Sequence, residues 1–203
     1  MSEKFAVLLA QEWDQAACGR LLDGLGAGGL TLAHPLDGNG RRLREDGEPV
    51  PVGLGELTDQ LRSLEPDVVS QFWLTRDMDV TFWWRRHGGG GALLIFYLDG
   101  LADEAARAMA ALCRGCMALA DAGAVLACDV EGHTRVDDWL EAFESGWSAV
   151  VSMPCVLVLG DAVKEAVRPG LRPAPDELRL DGVMLLGRPG DRKWAAVLRL
   201  LEA

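Results

Sequence analysis

The sequence predicts a single α+β domain over residues 1–203, built on a mixed sheet with flanking helices. Three strand patterns between residues 67 and 98 have connections short enough for hairpins, which predicts a central antiparallel three-stranded meander. A strand, a helix and a strand then follow between residues 93 and 130, a pattern typical of a strand-helix-strand crossover that joins parallel strands. The 203 residues, 49% of them hydrophobic, are enough for one packed core.

The chain before the meander is predicted to hold one strand and two helices. Residues 4–10 are mostly apolar and predict a buried strand, whereas residues 12–25 have their apolar side chains near one face of a helix. Residues 54–64 predict a shorter helix, closed by a proline soon after its end. Residues 34–52 are rich in glycine, proline and charge, so we expect them to form a long loop.

The meander strands are predicted at residues 67–75, 79–86 and 92–98. Side chains alternate between the two faces of a strand, and this places Trp73 and Trp83 opposite the apolar residues of their own strands. Both indoles have polar neighbours, so we expect at least one of them to reach the surface.

The second half of the chain alternates helices with short apolar strands. The longest helix is predicted at residues 102–121, and Asp191 is expected to cap the last helix of the chain. Between them the predicted elements are a strand at 124–130, a helix at 136–147, a strand at 155–159, a helical turn at 161–167 and a hairpin at 178–186.

The two tryptophans and their charged neighbours predict a recognition surface. Tryptophan is enriched at binding hot spots, because it buries a large area and keeps one polar atom for a hydrogen bond. Asp77, Asp79 and Arg85 lie within a few residues of Trp73 or Trp83. We therefore predict that these five residues bind a partner.

The chain is acidic, with a formal net charge of -11, and the excess is concentrated in its middle. Residues 99–144 hold ten acidic residues against three basic ones. Such a surface repels nucleic acid and anionic membranes and favours a basic protein partner. Five acidic residues of this region complete the predicted partner-binding set: Asp129, Glu131, Asp137, Glu141 and Glu144.

Cysteine usage and hydropathy predict a cytoplasmic protein. The five cysteines are an odd number scattered through apolar segments, which is typical of reduced, buried thiols. No apolar run approaches the ~20 residues of a membrane helix, and the first residues turn acidic too early for a secretory signal. No motif calls for a cofactor, since the one C-x-x-C pair, Cys113 and Cys116, falls inside a helix and is expected to pack in the core.

Residues 128–133 are the strongest candidate for chemistry. Asp129 and Glu131 alternate onto one face near the end of a strand, and His133 follows closely. Two carboxylates and a histidine could hold a divalent metal or divide acid and base roles, so a metal-assisted enzyme is one alternative function. Acids at a strand-to-helix turn also serve as a solvated rim or as helix caps, which is the simpler interpretation.

The middle of the chain runs LLIFYLDGL, an alanine-rich helix, AVLACDVEG and the acidic helix VDDWLEAFESGW. Over residues 67–147 this compact binder profile resembles, in type, the immunity proteins that neutralise bacterial polymorphic or secreted toxins. The resemblance implies a cytoplasmic protein that occludes the active site of a cognate toxin, often a basic nuclease. The acidic surface would then steer association, and the tryptophans would supply affinity that persists in salt. A secretion chaperone or adaptor for an effector is a further alternative.

Overall fold

A computed structural model describes residues 4–66, 68–145, 147, 152–160, 163–164 and 171–202. Ten strands and five α-helices lie within these residues. The strands are β1 (Phe5–Ala10), β2 (Gly40–Leu43), β3 (Pro49–Val52), β4 (Val69–Thr75), β5 (Met78–His87), β6 (Gly91–Tyr97), β7 (Val125–Asp129), β8 (Val156–Leu159), β9 (Asp176–Leu180) and β10 (Val183–Gly187). The helices are α1 (Gln15–Ala27), α2 (Leu54–Ser63), α3 (Ala105–Met117), α4 (Val136–Ser145) and α5 (Arg192–Glu202).

The strands form one sheet in the order β3-β2-β4-β5-β6-β1-β7-β8-β10-β9. The predicted α+β class and the antiparallel meander of β4, β5 and β6 are confirmed. Helix α3 connects β6 to β7, as the crossover predicts, and these two strands point the same way because both are antiparallel to β1. Strands β6 and β7, joined by α3 and separated in the sheet by β1, thus form a split β-α-β unit.

One detail of the predicted sheet is corrected, because the sheet is antiparallel rather than mixed. Each pair of neighbouring strands in the described part of the chain runs antiparallel. The physical reason is the position of β1. The first strand inserts between the two parallel strands of the crossover and pairs with both, so these never become neighbours.

The expected loop at residues 34–52 contains the hairpin of β2 and β3, which the sequence did not predict. Its strands, GRRL and PVPV, are short and lack apolar alternation. Tertiary contacts form them instead: β2 adds to the edge of β4, and Gly40 lies so close to Leu57 of α2 that a Cβ there would be 2.6 Å from Leu57 Cδ2. Pro49 and Pro51 lack an N–H and suit an edge strand.

Some predicted helices are longer than the observed ones. The helix expected at residues 102–121 is α3 flanked by the 3-10 turns Ala102–Glu104 and Ala120–Ala122. Ala102 has a φ of 40°, which excludes it from a right-handed α-helix. Most of the helical turn predicted at residues 161–167 lies outside the described residues.

Both faces of the sheet carry a hydrophobic core, but helices cover them unequally. Helices α1, α2, α3 and α5 pack on one face, around strand residues such as Phe72, Phe82 and Phe96. On the other face, Trp139 and Phe143 of α4 pack over β1, β6, β7, β8 and β10. The buried residues of this second core include none from β4 or β5. Among the described residues, that side of β4 and β5 is therefore only partly covered.

Gly187, at the end of β10, allows α5 to pack closely against the sheet. A Cβ added at Gly187 would lie 2.0 Å from Cδ2 and Cε2 of Trp194, an indole that is only 4% exposed. Because neither the ring nor the strand can bend away, α5 would have to shift. We expect Gly187→Ala to lower the free energy of unfolding by about 3 kcal/mol, as overpacking does. Urea denaturation measures this loss.

Gly19→Ala provides the matched control for this substitution. Gly19 lies within α1, and a Cβ there meets no neighbouring atom within 4 Å. Since alanine favours a helix over glycine by up to about 1 kcal/mol, the control variant should be as stable as the parent or slightly more so. Equal urea midpoints for the two variants would contradict the observed packing of α5 on β10.

Candidate functional site

The candidate site is the partly covered side of β4 and β5. Along β5, and along β4 except at the buried Gln71, buried residues alternate with partly exposed ones, and Trp73 and Trp83 belong to the partly exposed set. The expectation that at least one indole reaches the surface is confirmed. We call this side the open face, and it consists of Val69, Gln71, Trp73, Asp79, Thr81, Trp83 and Arg85, with Tyr97 of β6.

Strand register places the two indoles on the same face of the sheet. Val69 pairs with Trp83, and Trp73 pairs with Asp79. Trp73 is thus displaced from Trp83 by four residues along the strands, which is about 13 Å. The two side chains do not stack on each other, and a ligand that contacts both must span the face between them.

Trp83 is held in place from several sides. Its Nε1 donates a hydrogen bond to the Tyr97 hydroxyl at 3.0 Å, and the Arg85 guanidinium carbon lies 6.0 Å from the ring centroid. Part of the indole packs against the core beneath α4. A side chain that is ordered before binding loses little conformational entropy when a partner covers it.

Trp73 is flanked by the segment that follows α1. Its backbone pairs with Thr31 through two hydrogen bonds of 2.7 and 3.0 Å, and His34 meets the indole edge-on with ring centroids 4.4 Å apart. The indole Nε1 is buried and has no hydrogen-bond partner among the described residues. An unpaired buried donor costs about 1–3 kcal/mol, so the position of this ring is maintained by its packing.

The predicted charged residues lie on the open face or directly beside it. Asp77 is exposed in the turn between β4 and β5, and Asp79 accepts a hydrogen bond from Gln71 Nε2 at 2.8 Å. Arg85 donates to Glu144 Oε1 of α4 at 2.8 Å, with both side chains largely exposed. An exposed ion pair adds at most about 1 kcal/mol to stability. This pair nevertheless shows that the end of α4 adjoins β5.

Helix α4 adds an acidic strip beside the open face. Asp137, Glu141 and Glu144 are exposed, and their spacing of four and three residues places them on one side of the helix. The opposite side of α4 packs on the sheet through Trp139. Because Glu144 contacts Arg85, the structure brings these three predicted acids to the same side of the sheet as the tryptophans.

Asp129 is fully buried, so its place in the predicted binding set is wrong. Its carboxylate accepts hydrogen bonds from the backbone N–H groups of Glu131, Gly132 and Thr134 and from the Thr134 hydroxyl, at 2.6–3.1 Å. The residue organises the turn after β7. Glu131 remains exposed, at the rim of that turn. A carboxylate enclosed by its own loop is not open to substrate, so Asp129 does not form the accessible pair with Glu131 that the sequence suggests.

The structure adds two neighbours to this segment that sequence reasoning missed. The Cys155 thiol donates to Asp129 Oδ1 at 3.5 Å, and His133 Nε2 lies 3.7 Å from Asp191 Oδ2. Asp191 also caps α5, as predicted, by accepting from the N–H groups of Lys193 and Trp194. No sequence spacing indicates that Cys155 and Asp191 lie beside Asp129 and His133, because these two residues come from separate elements that only the folded sheet brings together.

A cavity of about 650 Å³ opens beside the same cluster. Side chains of both charges line it, among them Glu131, His133, Arg188, Asp191 and Lys193. It gives solvent a path to His133 and Asp191.

The cysteines are buried throughout the described part of the chain. Burial raises the pKa of the Cys113 thiol to about 12, and burial also raises the pKa of Cys116 well above its ordinary value. Such thiols stay protonated at neutral pH and do not act as nucleophiles. The C-x-x-C pair therefore packs in the core, as expected.

We compared the chain with family models, with curated proteins and with solved structures, and none of the three comparisons found a match. In the part of the chain that the structure describes, no helix combines the length and the apolar character needed to cross a membrane. Functional inference consequently depends on the geometry of the open face, the acidic strip and the cluster around Asp129.

Proposed function

We propose that the protein is a binding protein that engages another protein through its open face. The observation that carries this proposal is the location of two ordered, partly exposed tryptophans on a side of the sheet that α4 covers only in part. Within this class we propose a cytoplasmic immunity protein that neutralises a bacterial toxin by covering its active site.

The aromatic residues support a binding role through their energetics. Interface hot spots are enriched in tryptophan and tyrosine, and the open face presents Trp73, Trp83 and Tyr97 together. Their hydrogen bonds and ring contacts fix them before binding, which favours affinity at a low entropic cost.

Charge supports a basic partner. Asp79 lies on the open face and Asp77 beside it at one end, and the acidic strip of α4 adjoins the face near Arg85. Negative charge next to an aromatic hot spot accelerates encounter with a cationic surface, and this contribution falls as salt is added. Many toxins that act on nucleic acid present such a surface, because they bind phosphates.

The test is to identify the protein that co-purifies from the native cell and to express that protein with and without this chain. We expect the partner alone to arrest growth and co-expression to restore it. A partner that is not toxic but needs this chain for secretion would support the chaperone or adaptor alternative and overturn the immunity role. Failure to recover any partner with the parent protein, under conditions that retain known complexes, would contradict both.

A further inference from the structure

A Cys-His-Asp cluster lies at the end of β7, where the turn after this strand meets β8 and the start of α5. One ligating atom each from Asp129, His133 and Cys155 can be chosen so that all three lie within 4.8 Å of one another. Asp191 Oδ2 adds a second carboxylate, 3.7 Å from His133 Nε2. Asp129 and Cys155 are fully buried, and the side chain of Asp191 is 6% exposed.

We propose that this cluster binds one zinc ion through Cys155 Sγ, His133 Nε2 and carboxylate oxygens of Asp129 and Asp191. Thiolate, imidazole and carboxylate are the ligand types that zinc takes in proteins, and four protein ligands make a structural site. The set differs from the one that the sequence indicates, because Cys155 and Asp191 take part and the exposed Glu131 does not. The site is independent of the proposed partner-binding role.

The distances are close to those of a tetrahedral zinc site. Bonds of 2.0–2.3 Å to zinc place neighbouring ligand atoms about 3.5 Å apart. The Cys155 Sγ to Asp129 Oδ1 distance of 3.5 Å and the His133 Nε2 to Asp191 Oδ2 distance of 3.7 Å meet this requirement. The longest separation within the group of three, up to 4.8 Å, needs a contraction of about 1 Å.

The surrounding hydrogen bonds orient the two carboxylates. Loop N–H groups bind both oxygens of Asp129, and N–H groups at the start of α5 bind Asp191 Oδ1, which leaves Oδ2 facing His133. Ligating carboxylates in metal sites are held by outer hydrogen bonds of this kind. The cavity lined by His133 and Asp191 gives the ion access from solvent.

Binding would replace one proton. The Cys155 thiol donates to Asp129 Oδ1, and burial, together with the nearby carboxylates, raises the pKa of this thiol above its ordinary value. The ion would take the position between Sγ and Oδ1, and the thiol proton would pass to solvent. A divalent cation would offset two of the three negative charges of the thiolate and the two carboxylates, which lowers the cost of burying them together.

The test uses the reduced, full-length protein titrated with Zn²⁺ and, separately, with Co²⁺. We expect one ion per chain, release of about one thiol proton per ion in weakly buffered solution, and a rise in Tm of several degrees. Co²⁺ should give the intense absorption of thiolate-to-cobalt charge transfer. Absence of stoichiometric binding of either ion to the folded parent protein would overturn the proposal.

Substitutions identify the ligands. Cys155→Ser should abolish the charge-transfer band, and His133→Ala should weaken Co²⁺ binding by at least about tenfold. Cys18→Ser removes a buried thiol in α1, and His87→Ala removes the histidine at the end of β5, so both should bind like the parent. His133 is partly exposed, and its variant is expected to fold even if the Cys155 variant does not. Unchanged binding in His133→Ala, or loss of the band in Cys18→Ser, would place any bound ion elsewhere.

Discussion

We expect replacement of both Trp73 and Trp83 by alanine to weaken binding to the co-purifying partner by about a thousandfold. Truncation of a tryptophan hot spot costs at least ~2 kcal/mol, which is a factor of about 30 in Kd for each residue. The two positions are about 13 Å apart along the strands, beyond the range in which substitutions usually couple, so the two losses should add. Isothermal titration calorimetry or surface plasmon resonance measures the change.

Trp13→Ala is the matched control for the pair. Trp13 is also half-buried, but its Nε1 donates to Leu61 O at 3.2 Å and its ring packs against the core on the opposite face of the sheet. This variant should bind the partner like the parent, provided that circular dichroism shows it to be folded. If affinity were unchanged in the folded double variant, the open face would not be the binding surface. Equal losses in the double variant and in Trp13→Ala would indicate a general loss of structure.

Added salt should separate the electrostatic contribution of the acidic strip to binding from the contribution of the aromatic contacts. In the proposed complex, the acidic strip of α4 would attract the partner over a long range, and this attraction is screened within about 8 Å at physiological ionic strength. Higher salt should therefore slow association while the dissociation rate, which depends mainly on the buried aromatic contacts, changes little.

Asp129→Ala should lower the free energy of unfolding by about 3–5 kcal/mol and reduce Tm by about 10 °C. The carboxylate accepts four hydrogen bonds from its own turn, and its loss removes the acceptor of the N–H groups of Glu131, Gly132 and Thr134. Hydrogen bonds to a charged group contribute about 1.5–3 kcal/mol, which is more than neutral ones contribute. Thermal and urea denaturation, both in the presence of a chelator, measure the loss without any metal.

Glu131→Ala is the control that distinguishes the loss of hydrogen bonds from the loss of a negative charge in the same turn. Glu131 is exposed, and substitutions at exposed positions usually change stability by no more than about 0.5 kcal/mol. The variant should therefore melt like the parent even though it loses the same formal charge as Asp129→Ala. Similar stability of the Asp129 and Glu131 variants would show that the hydrogen bonds of the turn contribute little.

Elements with strong periodicity were predictable from sequence. The alternation in 67–98 led to β4, β5 and β6, apolar stripes led to α3 and α4 within a few residues at each end, and Asp191 marked the start of α5. The hairpin of β2 and β3 was not predictable, since its strands lack alternation and form only because β4 offers them an edge. The antiparallel character of the sheet was also not predictable from the sequence, because it depends on where β1 inserts.

For the candidate site, the sequence alone identified the residue types but not which residues are neighbours in space. Alternation is a local property, so it correctly separated Trp73 and Trp83 from the core-facing residues of their strands. The burial of Asp129 and its proximity to Cys155 and Asp191 depend on contacts between distant segments, which no local pattern encodes. The composition and periodicity of this chain specify an acidic α+β protein with an aromatic face, because they act over a few neighbouring residues. The tertiary structure decides which acids lie beside that face and which are buried within a turn, because strand order and helix packing determine what each side chain meets.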